Sequence, residues 1–193
     1  MPVKLKPRLA GVASLVPSSS VVADIGTDHA YLPLYLVKEK ACPRVIAVEK
    51  SSLNSMFARE TVNLFNLNQK VEVRIGDGLL ALDKSDGVEV VVIAGLGGKT
   101  ICRLLRTAGH RLRQHRRFVL QPMGDTALVR RWLAAHDFYF PQEKLVQEKG
   151  HFYEIIAAEK GRQIVKEPIF LELGPTLLQG RDPLLVPWLK HKI

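Results

Sequence analysis

Two hydrophobic periods alternate along this chain. Short apolar runs predict strands over 21–25, 44–49, 70–75, 88–94 and 117–121. Between them, hydrophobic residues recur at helical spacing and predict helices over 31–40, over 52–66, from about Lys99, and over 125–136. A leading helix over 5–16 places Leu5, Leu9, Val12, Ala13 and Val16 on one face, and Pro17 stops it. Pro33 falls in the first turn of its helix, where a missing N–H costs least. Ser51 or Ser52 is suited to cap the helix that follows. The strands are apolar on both faces, as buried parallel strands must be, and their alternation with helices gives βαβ units. The alternation then stops, and 138–148 and 151–159 read as a hairpin-like pair around Lys149-Gly150. The expected fold class is α/β: a doubly wound, mostly parallel, seven-stranded sheet with one antiparallel strand. Residues 1–160 form the expected domain, and the proline- and glycine-rich segment 161–193 a short helical appendage.

Composition narrows the class. A length of 193 residues suits one domain with a full core, and 47% hydrophobic with 24% charged residues is ordinary for a globular chain. The net charge of +9 points to a polyanionic partner, nucleic acid first, with solubility as the plain alternative. Cys42 and Cys102 have no metal-ligand spacing and suit a reducing compartment. No apolar run approaches the ~20 residues of a membrane span, and the N-terminus lacks a continuous apolar signal core. A cytoplasmic protein without membrane association or metal is expected, as a monomer.

Candidate chemistry collects at the carboxyl ends of the strands, where open parallel sheets bind ligands. After the first strand stands Asp24-Ile25-Gly26-Thr27-Asp28-His29-Ala30. Gly26 permits a tight turn and close approach to a ligand, but the segment is not the G-x-G-x-x-G of a dinucleotide site. Asp28 stands where a second glycine would be and would repel a pyrophosphate, yet it tolerates an ammonium and a sulfonium. That favours S-adenosylmethionine over NAD. Glu49, ending the second strand, can accept both ribose hydroxyls, with Lys50 beside it. Asp77 of Gly76-Asp77-Gly78-Leu79 can accept from the adenine amine while Gly78 and Leu79 border the ring; alone, the triplet also reads as a turn. Ala94 and Gly95 close the cofactor set at the end of the fourth strand.

Read together, these pieces resemble the bacterial tRNA (adenine-N1) methyltransferase family that modifies adenine 22. The resemblance rests on Arg8-Leu9, ADIGTDHAYLP (Ala23 to Pro33), Glu49, RIGDGL (Arg74 to Leu79), IAGLGG (Ile93 to Gly98), VLQP (Val119 to Pro122), RRWL (Arg130 to Leu133) and YEII (Tyr153 to Ile156). It covers roughly residues 5 to 160, with FLELGP (Phe170 to Pro175) adding to it. The family implies a Rossmann-like class I methyltransferase domain, S-adenosylmethionine, tRNA as partner, and a coiled-coil-like C-terminal extension. The segment 161–193 is too short for two long helices, which departs from that pattern.

The implied reaction needs no metal, because adenine N1 carries a lone pair that can attack an activated methyl, and positioning supplies much of the rate. Asp28 is the candidate to stabilise the cationic adenine or to hold the cofactor amine; its alternative is a helix cap. His29 can steer substrate or be a buried, hydrogen-bonded histidine. Gln121-Pro122 can meet an adenine edge or simply end a strand. Gly97 and Gly98 read as a backbone platform for the base, and Tyr31 as a stacking group for an exposed base or a core residue. Arg8 joins the site by resemblance. Lys99 to Arg117 holds seven Lys or Arg and no acid, and with Arg130-Arg131 it is expected to track phosphates. The competing readings are a methyltransferase acting on another RNA, a protein or a small molecule, and a noncatalytic RNA-binding module.

Overall fold

The computed structural model describes residues 3–165, 167–180 and 182–192. Seven strands form one sheet: β1 (Val22–Ile25), β2 (Val45–Glu49), β3 (Val71–Ile75), β4 (Val90–Leu96), β5 (Arg117–Pro122), β6 (Phe138–Glu148) and β7 (His151–Lys160). Their order is β3-β2-β1-β4-β5-β7-β6. The first five pair in parallel, and β7 runs antiparallel to both β5 and β6. The sheet therefore has the expected strand number and the expected single antiparallel strand. The late pair is not a simple extension, because β7 inserts between β5 and β6.

Helices α1 (Pro7–Ser14), α2 (Tyr31–Glu39) and α3 (Ser52–Leu64) cover one face, and α4 (Gly98–Ala108) and α5 (Thr126–Ala135) the other. The period of two explains the all-apolar strands. Val22, Val90 and Val92 pack with Val12, Leu34 and Val62, while Ala23, Val91 and Ile93 pack with Ile101, Leu105 and Leu133. Each such fully buried Val, Leu or Ile side chain contributes roughly 1.5–3 kcal/mol. The leading helix starts at Pro7 rather than Leu5, with the fixed φ of proline at its first turn. Ser51 caps α3, its Oγ accepting from the Asn54 N–H at 3.3 Å.

Beyond Lys160, α6 (Ile169–Leu173) packs on α5, α7 (Pro175–Gln179) lies against β6, and Trp188 of α8 (Leu185–Lys192) joins Leu145 and Leu177 in a small core. The Leu145 N–H donates to Asp182 Oδ2 at 3.2 Å, so polar groups of this edge strand are covered. No described helix is long and apolar enough to cross a membrane.

Two arginines expected on the phosphate-facing surface are structural instead. Arg130 is fully buried: its Nε donates to Glu143 Oε1 at 2.6 Å, its Nη2 to Glu154 Oε2 at 2.7 Å, and its Nη1 to the Leu171 and Glu172 carbonyls. Adjacent helical residues point about 100° apart, so Arg131 faces outward, where it pairs with Glu172. Arg117 is held by Glu159 at 2.6 Å and by the Leu15 carbonyl.

Candidate active site

Between β1 and β4 the chain reverses its direction of strand addition. A parallel sheet splays its flanking loops apart there, and a cleft of about 490 Å³ opens at the carboxyl ends of the strands. Asp24, Asp28, Glu49 and Asp77 all line it, each from the end of β1, β2 or β3.

Asp24 is 4% exposed. Burial pushes its carboxyl up to about 6, with the Thr27 hydroxyl opposing the rise and the Glu49 charge adding to it. The Thr27 Oγ faces this carboxylate, yet it forms no well-aligned hydrogen bond among the described residues. Gly26, Asp28 and Ala30 carry φ of 80°, 52° and 57°. Glycine takes this left-handed region freely and aspartate tolerates it, but Ala30 pays roughly 1–2 kcal/mol. This kinked segment carries the Asp28 N–H to 3.3 Å from Glu49 Oε2. The Lys50 and Ser51 N–H groups donate to Glu49 Oε1 at 2.9 and 3.0 Å. Three backbone donors thus fix one carboxylate at the cleft wall. On the open side, Lys50 Nζ reaches Asp77 Oδ2 at 3.2 Å.

At the β4 end, Ala94 and Gly95 line the cleft. The Gly95 N–H donates to Gln121 Oε1 at 3.2 Å, and Arg8 Nη1 donates to the same oxygen at 2.6 Å. Gln121 is fully buried, and its Nε2 donates to the Pro122 carbonyl at 2.7 Å. Its amide is therefore occupied in holding Arg8 and Gly95, and it is Arg8 that meets the cleft. The Arg8 N–H is in turn anchored on Glu148 Oε2 at 2.9 Å, and its guanidinium lies over the Tyr153 ring.

Tyr31 stands at the rim, 49% exposed rather than in the core. The His29 ring lies 6.0 Å from that of Tyr31 and 5.8 Å from that of Phe57, and its Nε2 is 3.8 Å from Asp28 Oδ1. His29 is half exposed, not a buried histidine.

The cleft thus gathers Arg8, Asp24, Gly26, Asp28, His29, Tyr31, Glu49, Lys50, Asp77, Gly78, Ala94 and Gly95. Other expected residues lie off its wall. Leu79 is in the core, and Leu104 of α4 forms that side instead. Gly97, Pro122 and Gln121 do not line it. Gly98 cannot serve as a free donor platform, because it is buried and its N–H is bound to the Gly124 carbonyl at 3.1 Å. A Cβ there would lie 2.7 Å from two carbonyl oxygens, so this glycine permits α4 to pack on the β5–α5 turn. Thr27 of the first motif and Arg103 of the basic run also line the cleft, with Asn54 and Thr100, to which the sequence assigns no site role. For Thr100 and Arg103 a signal existed: they are three residues apart on the first turns of a helix that leaves a ligand-facing strand.

The donor set has a clear chemical preference. Four carboxylates, one of them buried without a cation, suit hydroxyl and amine donors and positive charge. They do not suit a pyrophosphate.

The protein-family comparison matches residues 5–156 to the model described as a methyltransferase domain. The tRNA (adenine(22)-N(1))-methyltransferase of Bacillus subtilis is 36% identical over 172 residues, covering 89% of this chain and 72% of that protein. A Streptococcus pneumoniae structure described as a candidate tRNA (m1A22) methyltransferase in complex with S-adenosyl-L-methionine superposes with a TM-score of 0.93. It is 34% identical and covers 98% of this chain and 88% of its own. The Mycoplasma capricolum relative, solved with S-adenosyl-homocysteine, has a TM-score of 0.83 at 25% identity, covering 97% and 83% of the two chains.

Proposed function

Since the chain belongs to the tRNA (adenine(22)-N1)-methyltransferase family, we propose that it methylates N1 of adenine 22 in tRNA, using S-adenosylmethionine, in the cytoplasm. The observation that carries this reading is the convergence of Asp24, Asp28, Glu49 and Asp77 on one cleft at the switch point of the sheet. When bound, S-adenosylmethionine supplies an electrophilic methyl and leaves as a neutral thioether.

The chain's own residues divide the work. Glu49, oriented by three backbone N–H groups, is positioned to accept from ribose hydroxyls. Asp77, whose Oδ2 carries the Lys50 contact, would accept from the adenine amine of the cofactor. Asp24, buried and without a cation among the described residues, supplies negative charge facing the cofactor's ammonium side. These three roles leave Asp28 for the target base. Its side chain is 64% exposed on the cleft side, where it can hold the positive charge that N1 methylation places on adenine. Tyr31, with His29 behind it, offers a ring on which the exposed base stacks. Arg8, locked by Gln121, orients the substrate at the β4 end.

The test is incubation of the full chain with labelled S-adenosylmethionine and unmodified tRNA, followed by nucleoside analysis. The expected product is 1-methyladenosine, lost when adenine 22 is replaced. Intact tRNA without 1-methyladenosine, from protein that binds cofactor, would overturn the proposal. So would undiminished methylation of the substituted tRNA.

A further inference from the structure

The basic run of the chain splits into two populations once its side chains are placed. Arg117 is consumed by Glu159, and Arg111 by the Leu80 and Leu82 carbonyls. Lys99, Arg103 and Arg106 fall instead at i, i+4 and i+7 on the exposed face of α4, opposite Ile101, Cys102, Leu104 and Leu105. His110 and Arg113 continue this exposed stripe through the 3₁₀ turn over Gly109–Gln114. Arg103, Arg106 and Arg113 have no ion pair or hydrogen bond among the described residues. At its start the stripe enters the catalytic cleft through Arg103.

At its far end the stripe enters a second cavity of about 510 Å³, beneath the sheet at the amino ends of β5 and β6. Arg106, His110, Arg113 and Lys160 line it, with one acid, Asp137. Its aromatic side is built from Trp132 and His136, stacked at 3.9 Å and 12°. The His136 Nδ1 is tied to the Trp132 carbonyl at 2.7 Å, which fixes the imidazole. Trp132 is 9% exposed, and its indole N–H finds no acceptor among the described residues. Lys160 Nζ is steadied by the His136 carbonyl and the Phe138 ring. Unpaired guanidiniums, a lysine ammonium and a fixed imidazole lining one cavity match a phosphodiester flanked by a base.

We propose that this cavity is a distal anchor for the phosphodiester backbone of the substrate RNA, bound at the opposite end of α4 from the reacting base. The occupant is the substrate's own backbone because the stripe is continuous with the cleft. The eleven residues of α4 span about 16 Å at 1.5 Å per residue, a length that one folded RNA bridges. The inference rests on the tRNA reading above, but its deciding readout, the salt slope of tRNA binding, does not depend on methyl transfer.

The experiment measures tRNA binding by the full chain across salt concentrations. Comparison is with Arg106→Gln/Arg113→Gln, and with Lys70→Gln/Lys84→Gln, which removes the same charge from the β3 side of the sheet. The first variant is expected to lower the slope of log K against log salt by about 2 and to raise KM for tRNA about tenfold. Its kcat and cofactor affinity stay unchanged. The second variant is expected to change the slope by less than about 1. Equal effects from both variants would reduce the result to net charge and overturn the proposal. So would a slope unmoved by Arg106→Gln/Arg113→Gln. If pyrophosphate binds in a manner dependent on Arg106 and Arg113 while tRNA affinity does not, the cavity takes a small anion and the proposal fails. Absence of methylation with an altered slope would sink the function but leave the anchor standing.

Discussion

Two of the places where the molecule buries carboxylates treat them in opposite ways. Around Arg130, Glu143 and Glu154 meet one guanidinium, and the Thr176 N–H and hydroxyl fill the remaining acceptor of Glu143 at 2.9 and 2.6 Å. In the cleft, Asp24 is as deeply buried, yet a hydroxyl and a second negative charge are its nearest polar influences. Charge with all its partners is architecture. Here the cluster fastens α5, β6 and the C-terminal helices together. Charge kept without a partner costs stability and persists where a ligand supplies the missing cation.

This contrast can be broken experimentally. The largest effect is expected from Arg130→Met, which leaves Glu143 buried without a cation and Glu154 with Lys192 alone, and should cost about 3–5 kcal/mol in denaturant unfolding. Adding Glu143→Gln and Glu154→Gln should recover part of that loss; no recovery would mean that packing, not charge, dominates there. Asp28→Asn should lower kcat about a hundredfold or more while moving stability by less than about 0.5 kcal/mol, since asparagine also tolerates positive φ. Wild-type turnover would remove Asp28 from the chemistry.

Asp24 separates folding from binding by pH. Its folded value of about 6 lies above the ordinary carboxylate value, so the folded state holds the proton more tightly. Its contribution to stability is full below about pH 4 and is lost as pH rises through 6, roughly 3 kcal/mol in all. Asp24→Asn should flatten that window in pH-dependent melts. Cofactor affinity should run the other way and strengthen as pH rises through 6. Glu49→Gln should weaken cofactor binding by roughly 1.5–3 kcal/mol in calorimetry, because the amide adds a donor facing backbone N–H groups. Smallest of all is Lys50→Ala. It removes an exposed pair with Asp77 and should shift stability by less than about 1 kcal/mol. Its cofactor Kd should change little or improve.

The sequence made the sheet legible because strand and helix periods depend only on local spacing. Glu49 was legible because a strand end is also a place in the fold. What stayed hidden depended on partners distant in sequence. Arg130 and Arg131 read alike as surface cations, but the acids that draw Arg130 inward lie 13 and 24 residues further on, on β6 and β7. Gln121 read as a base-facing amide because Arg8, 113 residues earlier, is what occupies it. The edge position of β6 was equally hidden, since a hairpin pattern does not say which arm will turn inward.

That inward turn has a consequence for biogenesis. β5 pairs on its open side only with β7, whose residues leave the ribosome after those of β6. A nascent chain emerged only as far as α5 carries a bare parallel-sheet edge with the apolar core Phe118-Val119-Leu120, which invites wrong pairing with neighbouring chains. Completion of the sheet waits on the last strand to emerge. The interval between emergence of β5 and emergence of β7 is the one in which this edge stays open.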